Sequence, residues 1–77
     1  MQIYILESHY DGEIYLYAFK DNTQLRKKLI KLFNSEFNYE DYPEERDEII
    51  EELLNKGVCY GGNYDTASYY LKKQELL

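Results

Sequence analysis

Two runs of β-branched and aromatic residues open the chain, Ile3-Tyr4-Ile5-Leu6 and Ile14-Tyr15-Leu16-Tyr17, with Asp11-Gly12 between them. Asp-Gly suits a two-residue type I′ turn, because both central positions need φ > 0. The spacing therefore predicts a β-hairpin over residues 3–19, with Tyr10 opposite Glu13. The two-residue side-chain period then sorts the hairpin into two faces. One carries Ile3, Ile5, Glu7, His9, Ile14, Leu16 and Ala18; the other carries Tyr4, Leu6, Ser8, Tyr10, Tyr15, Tyr17 and Phe19. The aliphatic face is expected to pack on helices and the tyrosine face to be the wetter one. Both faces are apolar enough to admit the reverse.

The period then changes. Leu25, Leu29, Leu32 and Phe33 recur at helical spacing and form one apolar stripe. Asp21 or Asn22 is the expected cap, and Asp21 with Gln24 has capping-box spacing. Lys27 and Lys31 fall opposite the stripe, with Lys28 and Arg26 on its flanks. This helix should fade between Asn34 and Asn38, and residues 37–42 connect it to the next. Pro43 is placed to open a second helix. Glu44 and Glu45 sit in its first turn, where the helix dipole favours them. Ile49, Ile50, Leu53 and Leu54 form its buried stripe, and Lys56 and Gly57 are its stop signals. Beyond it, Val58-Cys59-Tyr60 reads as a short strand and Gly61-Gly62-Asn63 as a turn. Ala67 to Leu71 either extends a strand or belongs to a third helix capped by Asp65; the tyrosine pair and the upstream turn favour a second hairpin.

The expected fold is therefore α+β, a small two-layer ββααββ domain spanning residues 1–77, with an antiparallel sheet and two helices on one face. At 77 residues and 44% apolar content, the chain suits one small core, about 60% of its unfolded surface being buried on folding. One face of such a sheet is left partly uncovered, which invites a partner or a second copy. Met1 to Tyr4 lacks the basic lead and apolar run of a signal peptide, and no stretch approaches the roughly 20 apolar residues of a membrane span. A cytoplasmic protein is expected.

Little in the sequence points to catalysis or metal. Cys59 and His9 are the only residues of their kinds, and no third group is placed to orient them as a nucleophilic pair. A single cysteine excludes an internal disulfide and a cysteine-rich zinc site. Asp41, Glu44 and Glu45 lack the alternation of a calcium loop, and Gly61-Gly62 lacks the lysine and hydroxyl of a phosphate loop. No catalytic residue, metal ligand or cofactor is assigned, and the chain is read as a non-enzyme.

Charge is the sharper signal. Fifteen acids against nine bases give a net charge of −6, which argues against direct nucleic-acid binding. The charge is also segregated: Lys20 to Lys31 holds five bases and one acid, and Glu36 to Glu52 nine acids and one base, Arg46. Glu44, Glu48, Glu51 and Glu52 point away from the apolar stripe, Glu45 and Asp47 flank it, and Arg46 falls on the core side. Spread along the helix at ~1.5 Å per residue, these acids approach one charge per 2.2 Å or so, against one per ~1.7 Å of duplex DNA. A solvated helix face, partly neutralised by Lys27, Lys28 and Lys31, accounts for the same pattern. Ten tyrosines and no tryptophan add amphipathic rings of the kind enriched at interfaces.

The opening residues Ile3 to Glu13, the helical middle and the closing run Tyr69-Tyr70-Leu71-Lys72-Lys73-Gln74-Glu75-Leu76 resemble, in layout and texture, the small proteins of phages and mobile elements. Some short acidic members of that group are anti-defence proteins, anti-CRISPR inhibitors among them. The resemblance rests on no diagnostic motif and assigns no residue. It implies an inhibitor that binds a larger basic protein or nucleoprotein complex through a nucleic-acid-mimicking helix face. The partner-binding residues expected are Glu44, Glu45, Asp47, Glu48, Glu51 and Glu52, with Tyr15 and Tyr17. Two other uses fit the residues: a homodimer built on the tyrosine face, or single-strand binding through Arg26, Lys27, Lys28 and Lys31 with tyrosine stacking.

Overall fold

Asp11 at φ 51° and Gly12 at φ 80° make the left-handed pair of a type I′ turn. The turn joins β1 (Gln2–Tyr10) to β2 (Glu13–Lys20) with Tyr10 opposite Glu13. These elements are seen in a computed structural model, which describes residues 2–60 and 67–75. Two helices follow, α1 (Leu25–Glu36) and α2 (Pro43–Lys56), then β3 (Val58–Tyr60) and β4 (Ser68–Glu75). The strands form one sheet in the order β2-β1-β4-β3, and every neighbouring pair is antiparallel. This is the ββααββ α+β domain that the pattern predicts. The third-helix alternative fails because β4 runs beside β1 from Ser68 to Glu75. The expected turn Gly61-Gly62-Asn63 and the cap Asp65 lie outside the described residues.

Both helices pack on one face of the sheet, but it is the tyrosine-bearing face. Leu6 is fully buried and Ser8 nearly so, in the same core as Leu29, Phe33, Ile50 and Leu53. Leu6 opposes Tyr17 on β2 and Leu71 on β4, and Ser8 opposes Tyr15 and Tyr69. Tyr4, Tyr17 and Phe19 pack against that core as half-buried rings. On the other face Ile14 and Leu16 remain 59% and 65% exposed. The expectation that the aliphatic face is covered is thus reversed. Glu7 and His9 share that face with the aliphatic residues, and placing a helix over them would desolvate ionisable groups. The tyrosine face of the hairpin brings in no carboxylate or imidazole, and its buried residues are Leu6 and Ser8.

The caps divide in the same way. Asn22 Oδ1 accepts from the backbone N–H of Gln24 at 2.8 Å, so its side chain closes a turn two residues on. The helix therefore begins later than either Asp21 or Asn22 would set it, with Gln24 at the cap and no side-chain cap bond. The Asp21–Gln24 capping box does not form. Asp21 pairs instead with Lys73 at 3.1 Å. α2 follows its signals: Pro43 opens it and Gly57, at φ 78°, closes it. The Gly57 N–H donates to Leu53 O at 2.9 Å, and its carbonyl accepts from Leu71 N at 2.8 Å. One residue thus ends the helix and begins the β3–β4 ladder.

Between the layers, Phe33 meets the rings of Phe37, Tyr69 and Tyr39 at 4.9, 5.2 and 5.7 Å between centroids. α1 packs against β2, and α2 against β3 and β4. Among the described residues no helix is long and apolar enough to cross a membrane.

Candidate protein-binding surfaces

The rotation of α2 is fixed by burial of Ile49, Ile50 and Leu53, which turns its carboxylates outward. The six acids then divide into two groups. Asp47 pairs with Arg46 at 3.0 Å, Glu51 with Arg26 of α1, and Glu52 with Lys56 at 3.7 Å. Glu44, Glu45 and Glu48 make no ion pair among the described residues. The exposed connector residues Glu40 and Asp41, likewise unpaired, precede them. The uncompensated charge is therefore concentrated on the connector and the N-terminal half of α2, where the helix dipole supports it. The continuous anionic rod suggested by residue spacing is shortened by cations from the same chain. Partial neutralisation was expected from Lys27, Lys28 and Lys31; Arg26, Arg46 and Lys56 supply it instead, and the three lysines make no ion pair among the described residues.

Arg46 does fall on the inner side. Its side chain is 14% exposed and its Nη1 donates to Asn34 Oδ1 of α1 at 3.0 Å. With Arg26–Glu51, this contact fixes which side of α1 faces α2.

Tyr15 and Tyr17 lie together, though away from the acids. Both line a cleft of about 310 Å³ with Tyr10, Phe37, Tyr69 and Glu36, where the end of α1 overhangs the turn end of the hairpin. Tyr17 meets the Phe37 ring edge-on at 5.9 Å. Burial, then the Glu36 carboxylate, raises its phenol pKa. Tyr15 donates to the Glu13 carboxylate, and that bond raises its pKa in turn. The predicted site residues thus occupy two separate regions, an acidic one on α2 and an aromatic one beneath α1.

A third region is the open face of the sheet, which was expected to be the tyrosine-rich one and is instead the face of Ile14 and Leu16. The face of the sheet opposite the helices presents Ile3, Ile5, Ile14, Leu16, Val58 and Tyr60 to solvent to varying degrees, with Tyr60 71% exposed. Tyr70, in its middle, meets His9 at 5.2 Å and Tyr60 at 6.1 Å, both edge-on. The signal was present in the sequence, since Glu7 and His9 mark the face that cannot be covered. The same geometry separates the lone cysteine and histidine. Cys59 opposes Tyr69 on the helix-covered face, and His9 stands on the other, bonded through Nε2 to Glu7 at 2.7 Å. The Cys59 thiol is held protonated, pushed up to about 12 by burial and by the Glu52 carboxylate. Among the described residues no cluster of side chains could hold a metal ion. No protein-family model, curated protein or solved structure matches this chain.

Proposed function

We propose that this chain is a non-enzymatic binding protein of the cytoplasm that offers its acidic surface to a basic, nucleic-acid-binding site on a larger protein or nucleoprotein complex, as phage-encoded inhibitors of host defence do. One observation carries the reading. Glu40, Asp41, Glu44, Glu45 and Glu48 form a run of carboxylates without ion-pair partners among the described residues, on a chain of net charge −6. The other acids of α2, Asp47, Glu51 and Glu52, are paired within the chain, so on this helix the run is the part with charge left to give. Such a surface speeds encounter with a basic patch and sets its orientation more than it sets affinity.

The test reverses the unpaired residues. Glu44→Lys, Glu45→Lys and Glu48→Lys together should abolish salt-sensitive capture of a basic partner from the native cell type, and duplex DNA should compete with the wild-type chain for that partner. Binding should weaken as salt rises, because exposed charges are screened over about 8 Å at physiological ionic strength. Reversal of the paired acids Asp47 and Glu51 should do less. Capture unchanged by the triple reversal sinks the proposal, as does tight binding of the chain itself to single-stranded oligonucleotides.

A further inference from the structure

Among the described residues β2 is an edge strand, and its own sequence carries no device that blocks further pairing. It runs for eight residues, Glu13–Lys20, with no proline, and pairs with β1 on one side only. Natural edges are commonly guarded by proline, a bulge or a lysine in mid-strand; here the single lysine stands at the end. The direction of its free backbone groups follows from the ladder. The Asp21 N–H donates to Gln2 O at 3.3 Å, which makes the even-numbered residues of β1 the hydrogen-bonded partners of β2. Bonded and non-bonded pairs alternate in an antiparallel ladder. Ile14, Leu16 and Ala18, which oppose His9, Glu7 and Ile5, therefore turn their N–H and C=O groups outward.

We infer that this edge pairs with the β2 edge of a second copy of the chain, antiparallel and with Leu16 on the two-fold axis, so that two four-stranded sheets become one. The symmetry and the outward groups leave few registers. A two-fold perpendicular to the sheet keeps both helical layers on one side, so each outer-face residue must meet an outer-face residue. Leu16 opposite Leu16 sets Ile14 against Ala18 and Tyr15 against Tyr17 of the other copy. The three outward residues then give about six N–H···O=C bonds, two per hydrogen-bonded pair. Shifting the centre to Tyr17 keeps the symmetry but places Glu13 opposite Asp21, carboxylate against carboxylate, which is destabilising.

Charge favours a second copy as the occupant. α1 starts beside the Lys20 end of β2, and its last residue, Glu36, lies in the cleft with Tyr15 and Tyr17 near the other end. Because Arg26 and Asn34 face α2, the 100° helical step turns Lys28 to the opposite side, over the β2 edge. A two-fold at Leu16 runs the two α1 helices antiparallel along the seam. The Lys28 half of one helix then lies beside the Glu36 end of the other, twice.

Sedimentation velocity of the full chain over a range of concentrations tests this. Wild type should show a monomer–dimer equilibrium. Leu16 is 65% exposed and opposes Glu7, so Leu16→Lys suits the folded monomer, as circular dichroism will confirm, and it should weaken the dimer at least tenfold. Leu16→Cys should crosslink copy to copy on mild oxidation, and Glu13→Cys should not. Tyr60→Ser separates this mode from stacking of two open faces, since Tyr60 lies on the far strand and its loss should leave the dimer unchanged. A wild type that stays monomeric at every concentration overturns the inference. So does a dimer that survives Leu16→Lys or is dissolved by Tyr60→Ser. None of these outcomes bears on the acidic surface of α2.

Discussion

Cys59 reports on how firmly β3 is held beneath α2. Its residue is 4% exposed, and its Sγ donates to Glu52 Oε2 at 3.1 Å. Burial first, and the Glu52 carboxylate second, raise the thiol from its ordinary 9.0 to about 12. The thiolate is the form that reacts with an alkylating reagent. At a pH below both values each unit of pKa is a factor of ten in thiolate, so near pH 8 the native cysteine holds roughly a thousandfold less of it than a free one. Iodoacetamide labelling followed by mass spectrometry should therefore be about 10³-fold slower in native buffer than in urea. Glu52→Gln keeps the shape and removes the charge, so it should speed native labelling and leave the unfolded rate alone. Labelling through global unfolding would accelerate with denaturant, whereas reaction from the native state stays flat until the transition begins. A flat native rate within tenfold of the unfolded one would refute the packing of β3 against α2.

The same thiol makes stability depend on pH. Its folded pKa is raised, so unfolding releases a proton between about pH 9 and pH 12. Its contribution is complete below about pH 9 and is lost as pH climbs towards 12. The difference in urea midpoint between wild type and Cys59→Ala should narrow over that window, with the titration of the shared tyrosines cancelling. Two glycine substitutions should rank in order. Gly57→Ala forces a left-handed residue, at about 1–2 kcal/mol, and sets its Cβ 3.1 Å from the Leu71 carbonyl. Gly12→Ala meets nothing within 4 Å and should cost less by urea denaturation. Two arginines should separate likewise by thermal unfolding. Arg26→Ala breaks an exposed pair worth about 0–1 kcal/mol, whereas Arg46→Ala leaves Asn34 without its partner between the helices and should cost about 1–3 kcal/mol.

The elements whose signals are local were readable in the sequence. Asp11-Gly12, Pro43 and Gly57 each impose a backbone conformation through their own chemistry, and each sits where that chemistry requires. What could not be read needed the third dimension. Asn22 carries a capping side chain, but its amide oxygen was taken by Gln24 N–H, a competition between neighbours that spacing does not decide. The two faces of the hairpin were nearly equal in apolar count, five of seven residues against six. What distinguishes them is where charge falls, since Glu7 and His9 commit one face to water. The acidic face of α2 was read correctly in position and overstated in strength. Arg26 lies far from Glu51 in the chain and reaches it only once α1 and α2 pack. Tyr15 and Tyr17 were rightly grouped, but their face lies under helices.

Sheet order gives the molecule two ends with different tasks. β4 inserts between β1 and β3, so α2 stands over the β3–β4 side while β2 keeps its edge free beside α1. This arrangement answers an objection that net charge raises, since two copies of an anionic chain should repel. In a sheet joined at β2, the two α2 helices would lie about six strand spacings apart, roughly 29 Å at ~4.8 Å per strand. That is several times the ~8 Å over which exposed charge is felt at physiological ionic strength. Near the seam the facing helices carry the α1 lysines, which make no ion pair among the described residues, and the Glu36 carboxylate, where attraction across the axis is available. Self-pairing would then leave both acidic surfaces at the outer ends, free for basic partners. A chain with its acids over β2 would have to give up one contact to make the other.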